Sequence, residues 1–458
     1  MLTYELKKAP GVPLYEGLYR CIRDDILAGR LSPGEKLPSK RALARHLEVS
    51  KITVEAAYGQ LVAEGYLAAR EKVGYFVESV ERIPAGQPAP SSPPAEGPER
   101  LEFSGSGTER FPFSVWSRLQ REVMLDYGEA LLLPLPNIGL PELRRAITEH
   151  LAGFRGMSVD PENILIGAGT DFLYNLLIQL LGRDLTYAVE DPGYGKIRKI
   201  YAAGGVTAVS AAMDDRGVTV SSLGDAQVLH ISPAHHFPTG LITPVSRRSE
   251  LLAWAREGNR WIIEDDYDSE FRFHSHPLPS LQSMDHAGRV IYMNTFSKTL
   301  APSIRISYLV LPGALMDQFQ RKLGFYSCTV PSFEQYTLAR FLREGYFEKH
   351  INRMRKFYRV RRDRVLGLLK ECACADRLTV LEQDAGLHFL LKIDTRLTDR
   401  ELKDRLSRKG IRVRALSDYY AEARQDYHCL VVDYAGLKEE TLAHILEVLP
   451  ECLDEPDP

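Results

Sequence analysis

The sequence predicts an α/β protein in two parts. An N-terminal helix-turn-helix with a two-stranded wing precedes a larger domain with a mostly parallel sheet flanked by helices and a smaller C-terminal α/β lobe. Three observations carry that prediction. Residues 81–100 read ERIPAGQPAPSSPPAEGPER, with six prolines in twenty positions and Ile83 as the one sizeable apolar side chain. Such a stretch buries no core and reads as an extended, solvated tether. After it, apolar runs (NILIGAG, QVLHIS, RWIIEDD, RVIYMNTFS) alternate with helical patterns such as DFLYNLLIQLL, as expected for parallel strands covered on both faces. Before it, two short serine-led helical patterns follow one another closely. The expected division is a domain at 1–80, a linker at 81–100 and a domain at 101–458, with the smaller lobe from about 330.

Within the first 80 residues, Leu14, Leu18, Ile22 and Ile26 recur every four positions, an amphipathic helix ending near Gly29. Ser39 is placed to cap a short helix carrying Leu43 and Leu47. Ser50 is placed to cap a second, with Val54, Ala57, Tyr58 and Leu61 inward and Gly65 closing it. The tight turn Glu48-Val49 joins the two as a helix-turn-helix. YLAAREKVGYFV then alternates around Lys72-Val73-Gly74 as a wing. By residue pattern alone, a small helical bundle with a hairpin is the lesser alternative.

Composition narrows the function classes. At 458 residues, 44% apolar and 26% charged, the chain has the make-up of an ordinary globular protein of two or three domains, not of a disordered or fibrous one. It holds no run of 18 apolar residues, so no membrane-spanning helix is expected, and MLTYELKKAP lacks the apolar stretch of a secretory signal. Six cysteines without CxxC spacing predict neither a disulfide framework nor a metal site. A cytoplasmic protein with reduced thiols follows. The net charge is −3, while residues 1–80 hold 12 Lys or Arg against 10 Asp or Glu. An anionic partner must therefore be met by the arrangement of charge, not by its amount.

LPSKRALARHLEVSKITVEAAYGQLVAEGYL resembles, nearly position by position, the winged-helix domain of the GntR family of bacterial regulators, over roughly residues 12–78. The resemblance implies a double-stranded DNA operator as partner. It places Arg41, Lys51 and Thr53 at the DNA, with Lys72 at the wing tip. The family often has arginine where Lys51 stands, and lysine lacks the bidentate grip on guanine.

Four clusters in the larger domain carry chemistry. Gly167-Ala168-Gly169-Thr170-Asp171 is a strand-to-helix turn that can present backbone N–H groups to a phosphate. EDPGY (190–194) puts an aromatic residue on a loop after a strand. IIEDDYD (262–268) ends a buried strand in carboxylates, where α/β folds bind ligands. NTFSKTLAPSIR (294–305) sets Lys298 between Ser297 and Thr299, with Arg305 seven residues on, an amine nucleophile beside an anion site. Singly, each fits a steric turn, a turn tyrosine, a cap or a surface lysine.

In this order and spacing, the four resemble fold-type I pyridoxal 5'-phosphate enzymes of the class I aminotransferase family, from about residue 103 to 450. SPAHHFPTG (232–240) and PNIGLPELRRAI (136–147) match further landmarks. A GntR-type domain fused to such a domain, with EDDYDSEF in it, resembles the MocR/GabR regulators. The resemblance implies Lys298 as the residue that attaches the cofactor, Asp265 on its pyridine nitrogen, Tyr267 on its phenolic oxygen and Tyr194 stacked on its ring. Gly169, Thr170, Asp171, Thr295, Ser297 and Arg305 would hold its phosphate. It also implies a homodimer.

Three departures stand out. Asp171 replaces a common polar amide. Phe237 replaces the asparagine that meets the phenolic oxygen, a swap usual among MocR-type proteins, leaving His236 or Tyr267 to compensate. The segment HCLVVDYAGL (428–437) has no arginine for a substrate carboxylate, leaving Arg412, Arg414 or Lys196. The expected function is a DNA-binding regulator that senses a small amino compound, or pyridoxal phosphate itself, with transaminase activity weak or vestigial. A working aminotransferase with an autoregulatory DNA-binding domain, and a scaffold without cofactor, are the alternatives. Retention of Asp265, Tyr267, Lys298 and Arg305 speaks against the scaffold.

Overall fold

The computed structural model describes residues 2–4, 13–71, 73–79, 101–102, 110–272, 279–381, 386–422 and 425–453. The chain divides into two compact units, Met1–Ala95 and Glu96–Pro458. The linker expected at 81–100 and the wing-tip Lys72 lie outside the described residues.

The first unit has helices Leu14–Leu27, Lys40–His46 and Lys51–Ala63, then an antiparallel hairpin of Leu67–Arg70 with Gly74–Val77. Leu18, Ile22 and Ile26 pack with Leu43, Val54, Ala57, Tyr58 and Leu61 in one core. Both expected caps form: Ser39 Oγ accepts from Ala42 N at 3.2 Å, and Ser50 Oγ from Thr53 N at 3.0 Å. Gly65 closes the third helix in the left-handed region (φ 77°) that glycine enters without strain.

The second unit is built on an eight-stranded sheet. Its order is Ile164–Gly167, Ser307–Val310, Val290–Thr295, Trp261–Asp265, Val228–Ile231, Thr186–Asp191, Thr207–Asp214, Gly217–Val218. The five strands from Val290–Thr295 to Thr207–Asp214 are mutually parallel; Ser307–Val310 and Gly217–Val218 run against their neighbours. Period-two alternation covers both faces: Ile263 packs with Leu173, Leu177 and Phe319, whereas Ile262 packs with Leu229, Leu251 and Trp254. A second, antiparallel sheet of Leu378–Leu381, His388–Ile393 and Cys429–Asp433 lies in the C-terminal part, where Leu101–Glu102 also pairs with Ile411–Arg412.

One element differs from expectation. The sequence pattern over Phe333 to Cys374 predicts one long helix, and the structure holds two there, Ser332–Arg343 and Tyr346–Glu371. Gly345 adopts φ 73° and donates to Leu342 O, which ends the first helix and redirects the chain. The apolar periodicity on both sides of Gly345 hides that break in sequence.

Candidate functional site

The C-terminal ends of the central strands meet the smaller sheet around one cavity of about 690 Å³. Thr170, Asp171, Tyr194, Asp265, Tyr267, Thr295, Ser297, Lys298 and Arg305 all line it, so residues from four separate stretches of chain are brought together. Gly169 sits beside it. His236 does not line it. That residue is buried between Thr239, 2.7 Å from its Nδ1, and Glu190, 3.6 Å from its Nε2, where desolvation pushes its pKa down to about 3.

Gly169 leads into the helix Thr170–Leu181 with φ 89°. A Cβ there would fall 2.2 Å from Nη2 of Arg305, so glycine supplies both the left-handed backbone and the room for the guanidinium. Arg305 is itself left-handed (φ 51°). The Asp171 carboxylate does not stand uncompensated: Lys196 Nζ lies 2.7 Å away and Arg305 Nη2 3.6 Å away. Thr295 Oγ1 accepts from Ser297 N at 3.2 Å and from Ser307 Oγ at 2.7 Å. Ser297 Oγ is buried without a partner among the described residues.

The carboxylate burst after Trp261 resolves into separate tasks. Glu264 accepts from Leu281 N and Gln282 N. Asp266 takes Tyr292 OH at 2.6 Å and Arg155 Nη2 at 3.0 Å. Glu270, deep beneath them, is pushed up to about 7, first by burial and then by Asp266. Asp265 alone faces the cavity. Its Oδ2 accepts from Tyr174 OH at 2.6 Å and lies 3.5 Å from His230 Nε2, while Oδ1 is buried without a partner among the described residues. Tyr201 OH fixes His230 through Nδ1 at 2.6 Å. A buried, orphaned oxygen on a carboxylate that lines a cavity is an acceptor awaiting a donor.

Sequence reasoning missed Tyr174, Tyr201 and His230, although a histidine inside a four-residue buried strand already signals a polar partner. It also missed Asp433, which lines the cavity on Cys429–Asp433 and whose pKa is raised by burial and lowered by Lys298. Tyr194 and Tyr419 meet Phe237 edge-on, at 5.9 and 5.2 Å, forming an aromatic wall where a polar grip was sought. Arg412, Arg414 and Lys196 line the cavity as well.

On the first unit, Arg41 and Lys51 are exposed in the first turns of the two capped helices. Thr53 is half-buried, its hydroxyl 2.8 Å from Ser50 Oγ, so it also serves the cap. Lys40 pairs with Glu55 at 2.5 Å across the two helices. Ile52, 77% exposed beside Lys51, was not singled out in the sequence; an apolar side chain at a recognition-helix start suits a thymine methyl.

Residues 14–77 match the model of bacterial regulatory proteins of the gntR family. The chain is 36% identical to YdeL, an HTH-type transcriptional regulator of Bacillus subtilis, covering 96% of this chain and 97% of the relative. It is 33% identical to MocR of Rhizobium meliloti, a probable rhizopine catabolism regulatory protein, over 95% and 93%. The larger domain shares the fold of kynurenine aminotransferase from Pyrococcus horikoshii, solved in complex with PMP: TM-score 0.69, 25% identity, 77% of this chain and 90% of that one. No described helix is long and apolar enough to cross a membrane. A gntR-type DNA-binding unit, an aminotransferase fold and full-length kinship to such regulators together place the chain among the MocR/GabR-like GntR-type DNA-binding transcriptional regulators.

Proposed function

We propose that this regulator holds pyridoxal 5'-phosphate in the cavity and uses it to sense a small primary amine, or responds to pyridoxal phosphate itself. The observation that carries the reading is the convergence of Lys298, the orphaned Asp265 Oδ1 and the Gly169–Arg305 cradle on one cavity. The donor set fits the cofactor at both ends. Arg305, the unpartnered Ser297 hydroxyl and the start of the helix Thr170–Leu181 suit a phosphate dianion. Asp265 suits a protonated ring nitrogen, since a desolvated carboxylate is stabilised by a cationic donor. When bound, the cofactor supplies an aldehyde and an electron-withdrawing ring.

The chain's own residues then divide the work. Tyr174 holds Asp265 from behind, with His230 Nε2 3.5 Å from the same oxygen, so that its free oxygen keeps one direction. Lys298 is the amine nucleophile. Tyr267 offers a hydroxyl to the phenolic oxygen in place of the asparagine replaced by Phe237. Tyr194, 47% exposed, covers the ring. Lys196 neutralises Asp171, so the phosphate does not meet a bare carboxylate. Arg41, Lys51 and Thr53 would contact the operator, and two copies of the chain would address a repeated or palindromic site.

Incubation with pyridoxal phosphate, borohydride reduction and peptide mapping tests this. A yellow protein with the adduct on Lys298 is expected; a chain that takes up no cofactor contradicts the reading. Rapid multiple turnover of an amino acid with 2-oxoglutarate would instead make the protein a working aminotransferase.

A further inference from the structure

Beside the cavity lies a buried pair that none of these roles uses. His235, 3% exposed, has Nδ1 2.8 Å from Oδ2 of Asp268, itself 2% exposed. A carboxylate only accepts, so Nδ1 carries the hydrogen and donates it to Asp268. The Tyr267 hydroxyl oxygen lies 3.3 Å from the same Nδ1. A nitrogen that donates cannot also accept, so this oxygen meets the shared N–H with a lone pair. Its own hydrogen is left for another acceptor, and Tyr267 lines the cavity.

We propose that His235, pinned by Asp268, is the positioning residue that turns the Tyr267 hydroxyl hydrogen into the cavity.

The ring is held on its other side by the smaller lobe. Gly386 has φ 69°, and a Cβ there would fall 1.8 Å from His235 Cε1, so the backbone lies directly on the imidazole. Gly386 is anchored through its N–H to Phe271 O at 2.9 Å and its carbonyl to Tyr434 OH at 2.5 Å. His388 packs on the same ring with centroids 4.7 Å apart. The imidazole thus has little freedom to flip, and the tautomer chosen by Asp268 fixes the sense of the hydrogen bond at Tyr267. Asp265, Glu190 and Asp433 also face Tyr267 electrostatically, and none of them hydrogen-bonds to its hydroxyl.

The inference rests on the cofactor reading, and its test separates the two. Full-length protein is loaded with pyridoxal phosphate, and the visible absorbance of the bound cofactor is followed against pH. A hydroxyl donating to the ionised phenolic oxygen favours the charged form and lowers the titration midpoint. Tyr267→Phe and His235→Phe should each raise that midpoint by about one pH unit. The double variant should rise no further than either, because both remove one hydrogen bond. His235→Asn, which keeps an N–H near the Nδ1 position, should stay within a few tenths of a unit of the native value and guards against a folding defect in the phenylalanine variant. An unmoved midpoint in His235→Phe, or a His235→Phe shift that adds in full to that of Tyr267→Phe, overturns the positioning role while the cofactor reading stands. Failure of the native chain to take up the cofactor overturns both.

Discussion

The helix-turn-helix and the cavity reach their functional surfaces by opposite routes. In the first unit everything is local: Ser39 and Ser50 cap helices three residues ahead, and Arg41 and Lys51 stand in the turns those caps begin. In the second unit the cavity draws on residues from Thr170 to Ala435, and single polar contacts join positions far apart in the chain. Tyr174 reaches Asp265 across 91 residues, and His235 reaches Asp268 across 33. The difference teaches where perturbations propagate. A change at a cap is felt in one helix; a change in the buried network beneath the cavity is felt by the whole domain.

The largest effect expected from that contrast is pH dependence confined to the second unit. Glu270 stands at about 7 in the fold against an ordinary 4.5, chiefly through burial. Below about pH 4.5 both folded and unfolded chains are protonated there, and nothing is lost. As pH rises towards 7 the unfolded chain ionises first, so stability falls, and the loss is complete above 7. Glu270→Gln should therefore match the native protein in acid and exceed it by about 3 kcal/mol above pH 7. Denaturant unfolding at three pH values checks this; a gap that does not widen with pH would separate Glu270 from the network.

Next in size, Asp265→Ala should weaken pyridoxal phosphate binding by about 2 kcal/mol, roughly 30-fold, through the loss of a charge-assisted hydrogen bond in a buried site. Operator affinity without effector should stay within about twofold if the two units are energetically independent. Equilibrium titration of cofactor and a mobility-shift series measure the two. A large loss of operator affinity would break the comparison by tying the units together at rest.

At the local end, Ser50→Ala should cost about 1 kcal/mol in the first unit and leave cofactor uptake unchanged, as read by unfolding followed through the winged helix. Smallest is Lys51→Ala, which should lower the salt slope of operator binding by about one unit. An unchanged slope removes Lys51 from the interface.

The same contrast explains what was legible in the sequence. The caps, Gly65 and the inward face of Val54, Ala57, Tyr58 and Leu61 were readable because each rests on neighbours within a few residues. Lys298, Asp265 and Gly169 were readable only through the order and spacing of their clusters, which resemble the class I aminotransferase family, since each alone fits a turn, a cap or a surface lysine. The partners of Asp265 were not, since nothing local ties Tyr174 or His230 to a carboxylate so distant in sequence. His236 was taken for a cavity residue that compensates for Phe237, yet its ring is buried between Thr239 and Glu190, and of these it is Glu190 that lines the cavity. Gly345 was passed over because the apolar periodicity runs on across it.

The central claim is that the cavity, through Lys298, governs the DNA-binding unit. Its most direct test compares operator affinity with and without a panel of small primary amines, in the presence of pyridoxal phosphate, for the native protein and for Lys298→Ala. The account predicts that at least one amine changes native affinity by roughly 5–150-fold, a coupling of about 1–3 kcal/mol. Lys298→Ala should bind the operator as before and lose that response. An unaltered response in Lys298→Ala would contradict the account.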